Sequence, residues 1–524
     1  MTVTRRTTQE LKQATSLYEV FAGQAARRPD AVAITDGPLD VTYRELETAA
    51  REYRAGLVHH GVRPGSLVGI SLERGWEVVA AILGVLGHGS GYVPLDPSYP
   101  ADRLAFMARD SGVRAVISAP DTAAPPTGPD RVVRLNGDAA APAEPLPRPV
   151  GTPLYVIYTS GSTGLPKGVA VSESAVLELF RSCSDGPFAF GPEDTWTQYF
   201  SYSFDFSVWE IWGSLLFGGR LVVVPPETAR RPAALLELLA EQRVTVLNAV
   251  PSFFKYMPKA YERDPVDLSL RYVVFGGEQL DPLSVRRWMQ LRPGAETLVN
   301  MYGITETTVH TTFGAITEDR VAPGGAGTWI GEPLAHHRMA VLTGEGQPAA
   351  EGEPGEVYIA GPGLADGYFG QPELTAERFP RLRLPGDDET RTWYRTGDVA
   401  RRLPDGTYEY LGRNDRQISL RGFRIELGEV EAALRTEPDV LDAVVLTEEA
   451  AGGEWLLVAY VVLAQDRPVT GEPVARLREA CRTRLPAHML PNRIVVVSEM
   501  PLAPSGKLDR ARLSTDEGLR VTVR

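Results

Sequence analysis

The chain has 524 residues, 43% of them hydrophobic and 23% charged, a globular composition that fills roughly three to four domain-sized units at about 150 residues each. Fifty-four Lys and Arg against 67 Asp and Glu leave a net charge of −13, which excludes a general nucleic-acid binder but not a nucleotide held in a locally positive cleft. The two distant cysteines, Cys183 and Cys481, and seven scattered histidines give no disulfide framework and no zinc spacing, and fit a reducing cytoplasm.

The N-terminus, MTVTRRTTQELKQ, has no apolar run behind its arginines and is not a secretory signal. Helical spacing follows at 49–60 and 76–86. The second is the longest apolar stretch. Glu77 interrupts it and it is too short for a bilayer, so it predicts a buried helix and no membrane association. Residues 118–153 are rich in Pro, Ala and Gly, with one strand-like patch at 131–135, and read as a surface connection. Short β-branched or aromatic runs at 154–158, 221–224, 244–250 and 272–275 predict strands. Their alternation with helical segments favours an α/β layered fold. After about Arg413 the pattern changes. Helix-like runs at 427–435 and 475–485 and strand-like runs at 456–463 and 494–497 predict a separate α+β unit of about 110 residues.

The most informative segment is LYVIYTSGSTGLPKG, 154–168. A strand runs into a loop whose glycines turn the backbone tightly and aim N–H groups inward, while Thr159, Ser160, Ser162 and Thr163 add hydroxyl donors around Gly161. Such a loop suits phosphate oxygens. Its spacing is not that of a Walker motif.

TSGSTGLPKG resembles the phosphate-loop signature of the adenylate-forming superfamily, which includes acyl-CoA synthetases, luciferases and the adenylation domains of non-ribosomal peptide synthetases. Further segments resemble the adenylation-domain motifs in their order: VTYREL (41–46), GYVPLDP (91–97), FDFS (204–207), NMYGITE (300–306), GEVYIAG (355–361), YRTGD (394–398), GRNDRQ (412–417), RGFRIELGE (421–429), LPAHMLP (485–491) and PSGKLDR (504–510). Ile304 departs from the usual proline. The resemblance implies a large N-terminal core, 1–414, of layered sheets and helices with a small β-barrel-like subdomain, and a small mobile α+β domain, 415–524, turning about Asp415.

The implied reaction joins a carboxylate to the α-phosphorus of ATP and releases pyrophosphate. Positioning and positive charge are what the protein must supply. By the resemblance, Lys507 bridges the substrate carboxylate and ATP oxygens, Thr159 and Lys167 assist in the phosphate loop, and Glu306 binds Mg²⁺. Tyr302 stacks on adenine and Asn300 bonds its exocyclic amine, with Gly277, Glu278, Gln279, Gly303 and Thr305 around the nucleotide. Asp398 takes the ribose hydroxyls, with Tyr410 and Arg413 beside it. Taken singly, Lys507 reads as an exposed lysine in a Ser-Gly turn, and Tyr410, Phe206 and Trp209 as core.

Asp205 matches the aspartate that binds the α-ammonium of an amino acid, a charge that acyl-CoA synthetases do not need to satisfy. The other pocket positions are Phe206, Trp209, Asn248, Val274, Gly276, Met301, Val309 and His310. With Asp205 and Lys507 they spell DFWNVGMVHK, which resembles the pattern of threonine-activating domains. Chemically they make a small apolar cup with two polar groups, Asn248 and His310, and such a pair selects a hydroxylated side chain. The expected substrate is L-threonine, ahead of 2-aminobutyrate and valine. No carrier-protein signature follows Lys507, so the expected partner is a separate phosphopantetheinylated carrier protein, with a small MbtH-like activator as a further candidate. The alternatives are an acyl- or aryl-CoA synthetase and an inactive binding module that docks a carrier.

Overall fold

The computed structural model describes residues 2–119, 132–133, 145–161, 164–321, 327–385, 387–415, 417–450, 454–464, 471–501 and 509–520. Lys507, Ser162 and Thr163 lie outside the described residues, as does most of the 118–153 connection.

Two large sheets carry the N-terminal part. The first has seven strands in the order Gly367–Tyr368, Lys167–Val171, Tyr155–Thr159, Gly91–Pro94, Leu67–Ser71, Ala115–Ser118 and Val132–Val133. Its middle strands are parallel, and Tyr155–Thr159 pairs antiparallel with Lys167–Val171. The phosphate loop is therefore the hairpin joining two adjacent strands. The second is a thirteen-strand series whose centre is parallel: Arg220–Val223, Thr195–Gln198, Val246–Ala249, Tyr272–Phe275 and Thr297–Asn300. From Thr312–Ala315 onward it continues antiparallel through Thr328–Pro333, Tyr408–Arg413, Tyr394–Arg402, Gly355–Ala360 and Arg338–Leu342. This antiparallel extension stands where the barrel-like subdomain was expected. The described pairings form an open series rather than a closed ring.

The core forms where local signals and burial agree. Tyr43–His59 starts on a capping box: Thr42 Oγ1 accepts from Glu45 N–H while the Glu45 carboxylate reaches back to Thr42 N–H. The helix Trp76–Gly87 is buried on all sides from Val78 onward, as its unbroken apolar run predicts. No helix among the described residues is long and apolar enough to cross a membrane. Cys183 and Cys481 are both buried and free. The smaller C-terminal unit has its own core, built by Leu427–Leu434, Gly471–Arg484 and the three strands Val440–Glu449, Trp455–Leu463 and Arg493–Val496.

The adjacent pair His336–His337 is buried, with ring centroids 4.0 Å apart. Neither nitrogen of His336 has a partner among the described residues, and His337 Nε2 lies 3.2 Å from the Thr307 carbonyl. Burial pushes His336 down to about 2 and His337 down to about 4. Both are neutral in the folded state, whereas the unfolded chain protonates its histidines below about 6.5. Stability is thus fully present above 6.5 and is lost as the pH falls toward 4, by up to about 1.4 kcal/mol per histidine per pH unit. Tm should drop between pH 7 and pH 5, and His336→Leu should make that drop shallower. Identical pH slopes for both proteins would contradict this.

Candidate active site

The strand Tyr155–Thr159 delivers the phosphate loop to the junction of both sheets and the C-terminal unit. Thr159 Oγ1 is buried without a partner among the described residues. Ser160 Oγ donates to the Arg424 carbonyl at 2.9 Å and accepts from Glu426 N–H at 3.0 Å. Gly161 N–H donates to Glu429 Oε2 at 3.1 Å, and Arg103 holds the other oxygen of that carboxylate at 2.6 Å. A Cβ at position 161 would sit 2.0 Å from the Leu165 carbonyl oxygen, so the tight loop requires glycine there.

Glu306 is fully buried where three positive or donating groups converge. Oε1 accepts from the Tyr368 hydroxyl at 2.8 Å and lies 3.6 Å from Lys167 Nζ, while Oε2 accepts from Arg424 Nη1 at 2.6 Å. Burial alone would raise this carboxyl, but Arg424 and Lys167 hold it well below the usual carboxylate range. Lys167 lies 4.5 Å over the Tyr368 ring, and burial with the nearby Arg424 charge lowers it to about 8. A buried, ionised carboxylate is the right donor for a hard cation. Both its oxygens are engaged, so a cation there must displace Arg424. The Glu306–Arg424 contact spans 118 positions of sequence. Arg424 and Tyr368 had no assigned role in the sequence reading. Arg424 sits in the RGFRIELGE motif, the one signal that could have found it; Tyr368 carried none.

Asp398, the expected ribose contact, is buried with both oxygens bound: Arg413 Nη1 donates to Oδ1 at 2.6 Å and the Tyr302 hydroxyl to Oδ2 at 2.5 Å. Burial raises this carboxyl, opposed by Arg413 and Tyr302. Arg413 also grips Asp415 at 2.8 and 2.7 Å, tying the expected hinge residue to Asp398. Asn300 Nδ2 donates to the Trp329 carbonyl at 2.6 Å, which leaves its oxygen to accept from an amine. The Tyr410 and Tyr302 ring centroids are 6.0 Å apart. Gly277 and Glu278 are contacted from the C-terminal unit, where Ser419 Oγ donates to the Gly277 carbonyl and Gly422 N–H to Glu278 at 2.7 Å; Ser252 N–H of the N-terminal part also donates to Glu278, at 2.9 Å. Gln279 is exposed and Thr305 buried.

The helix Phe206–Leu215, with Asp205 at its N-cap, carries Phe206 and Trp209, two of the side chains expected to line an amino-acid pocket. Asp205 is 4% exposed, and no Lys or Arg forms an ion pair with it among the described residues. Burial pushes it up to about 6, against a hydrogen bond from Thr305. Phe206 stacks on Phe200 at 4.5 Å and Trp209 on Phe180 at 5.3 Å. His310 stands edge-on to both Phe206 and Trp209, 5.0 Å from each centroid. Val274 and Met301 are buried, and a Cβ at Gly276 would meet Phe206 Cε1 at 3.1 Å.

The wall at Thr308–Val309–His310 is strained. Thr308 (φ 57°) and Val309 (φ 68°) hold left-handed backbone that β-branched residues rarely adopt. Gly303 makes this possible, because a Cβ there would overlap the Val309 carbonyl oxygen at 2.1 Å.

The structure corrects one element of the pocket chemistry. Asn248 was expected to present a free amide beside His310. Instead its Oδ1 accepts from Trp209 Nε1 at 3.0 Å and its Nδ2 faces Glu210 at 3.5 Å. Burial has removed water and left the amide only protein partners. His310 differs: burial lowers it to about 3, keeping it neutral, and neither ring nitrogen has a partner among the described residues.

A hydroxyl-bearing hairpin loop, a carboxylate gripped by cations, a hydrogen-bonded tyrosine–aspartate pair and a buried aspartate are the groups expected of an adenylate-forming enzyme. Residues 21–369 match the AMP-binding enzyme family and residues 429–507 match the AMP-binding enzyme C-terminal domain, and the chain belongs to that family. It is 39% identical over 513 residues to syringomycin synthase SyrB1 of Pseudomonas syringae pv. syringae, covering 96% of this chain and 82% of that protein. It is 43% identical over 520 residues to a dimodular nonribosomal peptide synthase of Bacillus subtilis, covering 95% of this chain and 21% of the relative. The chain thus spans about a fifth of the length of that relative. Among solved structures, holo-PA1221, an NRPS protein containing adenylation and PCP domains, superposes with a TM-score of 0.82 at 30% identity, covering 96% of this chain and 84% of that one. The chain is an ATP-using, adenylate-forming ligase of the nonribosomal peptide synthetase type.

Proposed function

We propose that the chain activates L-threonine and that its adenylate passes to the phosphopantetheine thiol of a carrier protein in cytoplasmic nonribosomal peptide synthesis. The observation that carries the amino-acid assignment is Asp205: a buried carboxylate with no ion pair among the described residues is complementary to an α-ammonium. The threonine assignment rests on His310, a neutral imidazole with unclaimed nitrogens inside an apolar ring of Phe206, Trp209, Met301 and Val309. A hydroxyl satisfies it, whereas valine or 2-aminobutyrate leaves it bare, at about 1–3 kcal/mol.

In the mechanism we assign, Asp205 fixes the substrate's ammonium, so that its carboxylate is aimed at the α-phosphorus. Thr159, Ser160, Gly161, Ser162 and Thr163 cradle the phosphate oxygens, and Asp398 with Tyr302 holds the ribose. Lys507 supplies positive charge to the carboxylate and phosphate oxygens. Mg²⁺ on Glu306 would neutralise phosphate charge once Arg424 has moved aside. Because Ser160, Gly161 and Glu306 are all engaged by the 424–429 segment here, that segment must withdraw before a triphosphate binds. We place the boundary for that motion at 414/415, beside the Arg413–Asp415 contact.

The test is ATP–pyrophosphate exchange by the purified protein against a panel of amino acids, with and without an MbtH-like protein. Threonine should lead, and His310→Leu should cut the threonine-over-valine preference by about tenfold. A preference for leucine, phenylalanine or an acidic residue would overturn the threonine assignment. Fatty and aryl acids, having no amine for Asp205, should be inert with coenzyme A.

A further inference from the structure

We propose that Glu210, which lies outside the recognised pocket positions, is a specificity-positioning residue: it locks Asn248 and Phe200 so that His310 alone is left to read the substrate's side chain. Glu210 is fully buried one residue beyond Trp209 on the helix Phe206–Leu215. Its Oε1 accepts from Tyr199 N–H at 2.9 Å and faces Asn248 Nδ2 at 3.5 Å; its Oε2 accepts from Phe200 N–H at 3.1 Å. Burial pushes the Glu210 carboxyl up to about 8, opposed by the Tyr199 and Phe200 N–H bonds and, less, by Arg74, which holds the Tyr199 and Val224 carbonyls at 2.9 and 3.3 Å.

The consequence for Asn248 is a fixed amide. One side meets a group that presents acceptors, Glu210; the other meets a group that only donates, Trp209 Nε1–H. A flipped amide would set donor against donor at Trp209 and acceptor against acceptor at Glu210. The consequence for Phe200 is a fixed ring, stacked 4.5 Å from Phe206 at an interplanar angle of 9°. Glu210 therefore ties a polar and an aromatic wall of the pocket to one carboxylate that the substrate never touches. Fully satisfied buried networks of this kind specify a single geometry.

The inference rests on the amino-acid pocket but not on the identity of the amino acid. The wild-type panel decides which substrate is preferred; only the change between wild type and variant on that panel bears on Glu210. Glu210→Gln keeps the volume but replaces one of the two carboxyl oxygens, which accept from the Tyr199 and Phe200 N–H groups, with an NH₂ group. Whichever way it turns, either Phe200 N–H or the Tyr199 N–H and Asn248 pair faces an NH₂ group. The expected result is about a tenfold rise in KM for the preferred amino acid and an at least fivefold loss of its preference over the apolar isostere, with kcat and KM for ATP within about twofold of wild type. A merely structural role would instead lower kcat for every amino acid alike, and that uniform loss, or an unchanged panel, overturns the proposal. Should Glu210→Gln fail to accumulate folded, Asn248→Asp reads the contact from its other side: acceptor now faces acceptor, and the same amino-acid-specific rise in KM is expected. An Asn248→Asp enzyme with wild-type KM and selectivity overturns it equally.

Discussion

Asp205→Ala should lower kcat/KM for the preferred amino acid by at least about a hundredfold in pyrophosphate exchange, while ATP binding persists. The size follows from what is removed. A desolvated charge pair that loses one partner costs about 2–5 kcal/mol, most of it from leaving the other charge buried and unpaired. In the free protein that carboxylate sits in a dry site, with Thr305 as its side-chain donor. Burial raises it to about 6, so it is charged above that pH and neutral below. The sign for binding is direct: as the pH falls through 6, the carboxylate gains a proton, the ammonium loses its partner and the amino-acid KM rises. Asp205→Asn, neutral throughout, should raise KM at pH 8 and remove the pH dependence. Wild-type exchange by Asp205→Ala would end the amino-acid-pocket assignment.

Glu306→Gln should reduce exchange by about a thousandfold, shift the Mg²⁺ requirement upward and lower Tm together. Two separate causes act. The first is chemical: a neutral amide is a poor ligand for a hard cation beside phosphates. The second is electrostatic. Arg424 at 2.6 Å and Lys167 at 3.6 Å depend on this carboxylate, and breaking such a buried pair costs about 3–5 kcal/mol. Arg424→Gln separates the causes. It leaves Glu306 charged and unclaimed by a guanidinium, so exchange should persist while Tm falls. If Glu306→Gln kept exchange within tenfold of wild type, the cation would have to be held elsewhere.

The parts of the fold that local chemistry controls were legible in the amino-acid order. The run Trp76–Leu86 could only be a buried helix, since it offers no polar face. The strand before the Thr159–Lys167 loop, the parallel core strands and the change of character after Arg413 follow from periodicity and turn residues. Asp205 was singled out only through the family resemblance of its motif; that it is buried is a tertiary fact. The orientation of side chains was not. Whether Asn248 offers its amide to a ligand or spends it on Trp209 depends on where the indole N–H points, and that is a tertiary fact. Glu210 reads as an ordinary helical glutamate until three donors are seen to close on it. The Glu306–Arg424 contact joins segments that no spacing rule connects. Sequence by itself determined which groups could bind phosphate, ribose and ammonium, because those capacities belong to individual residues. Tertiary structure alone decided which of those groups are already taken, because burial strips away water and makes each remaining hydrogen bond depend on a neighbour that is distant in the chain.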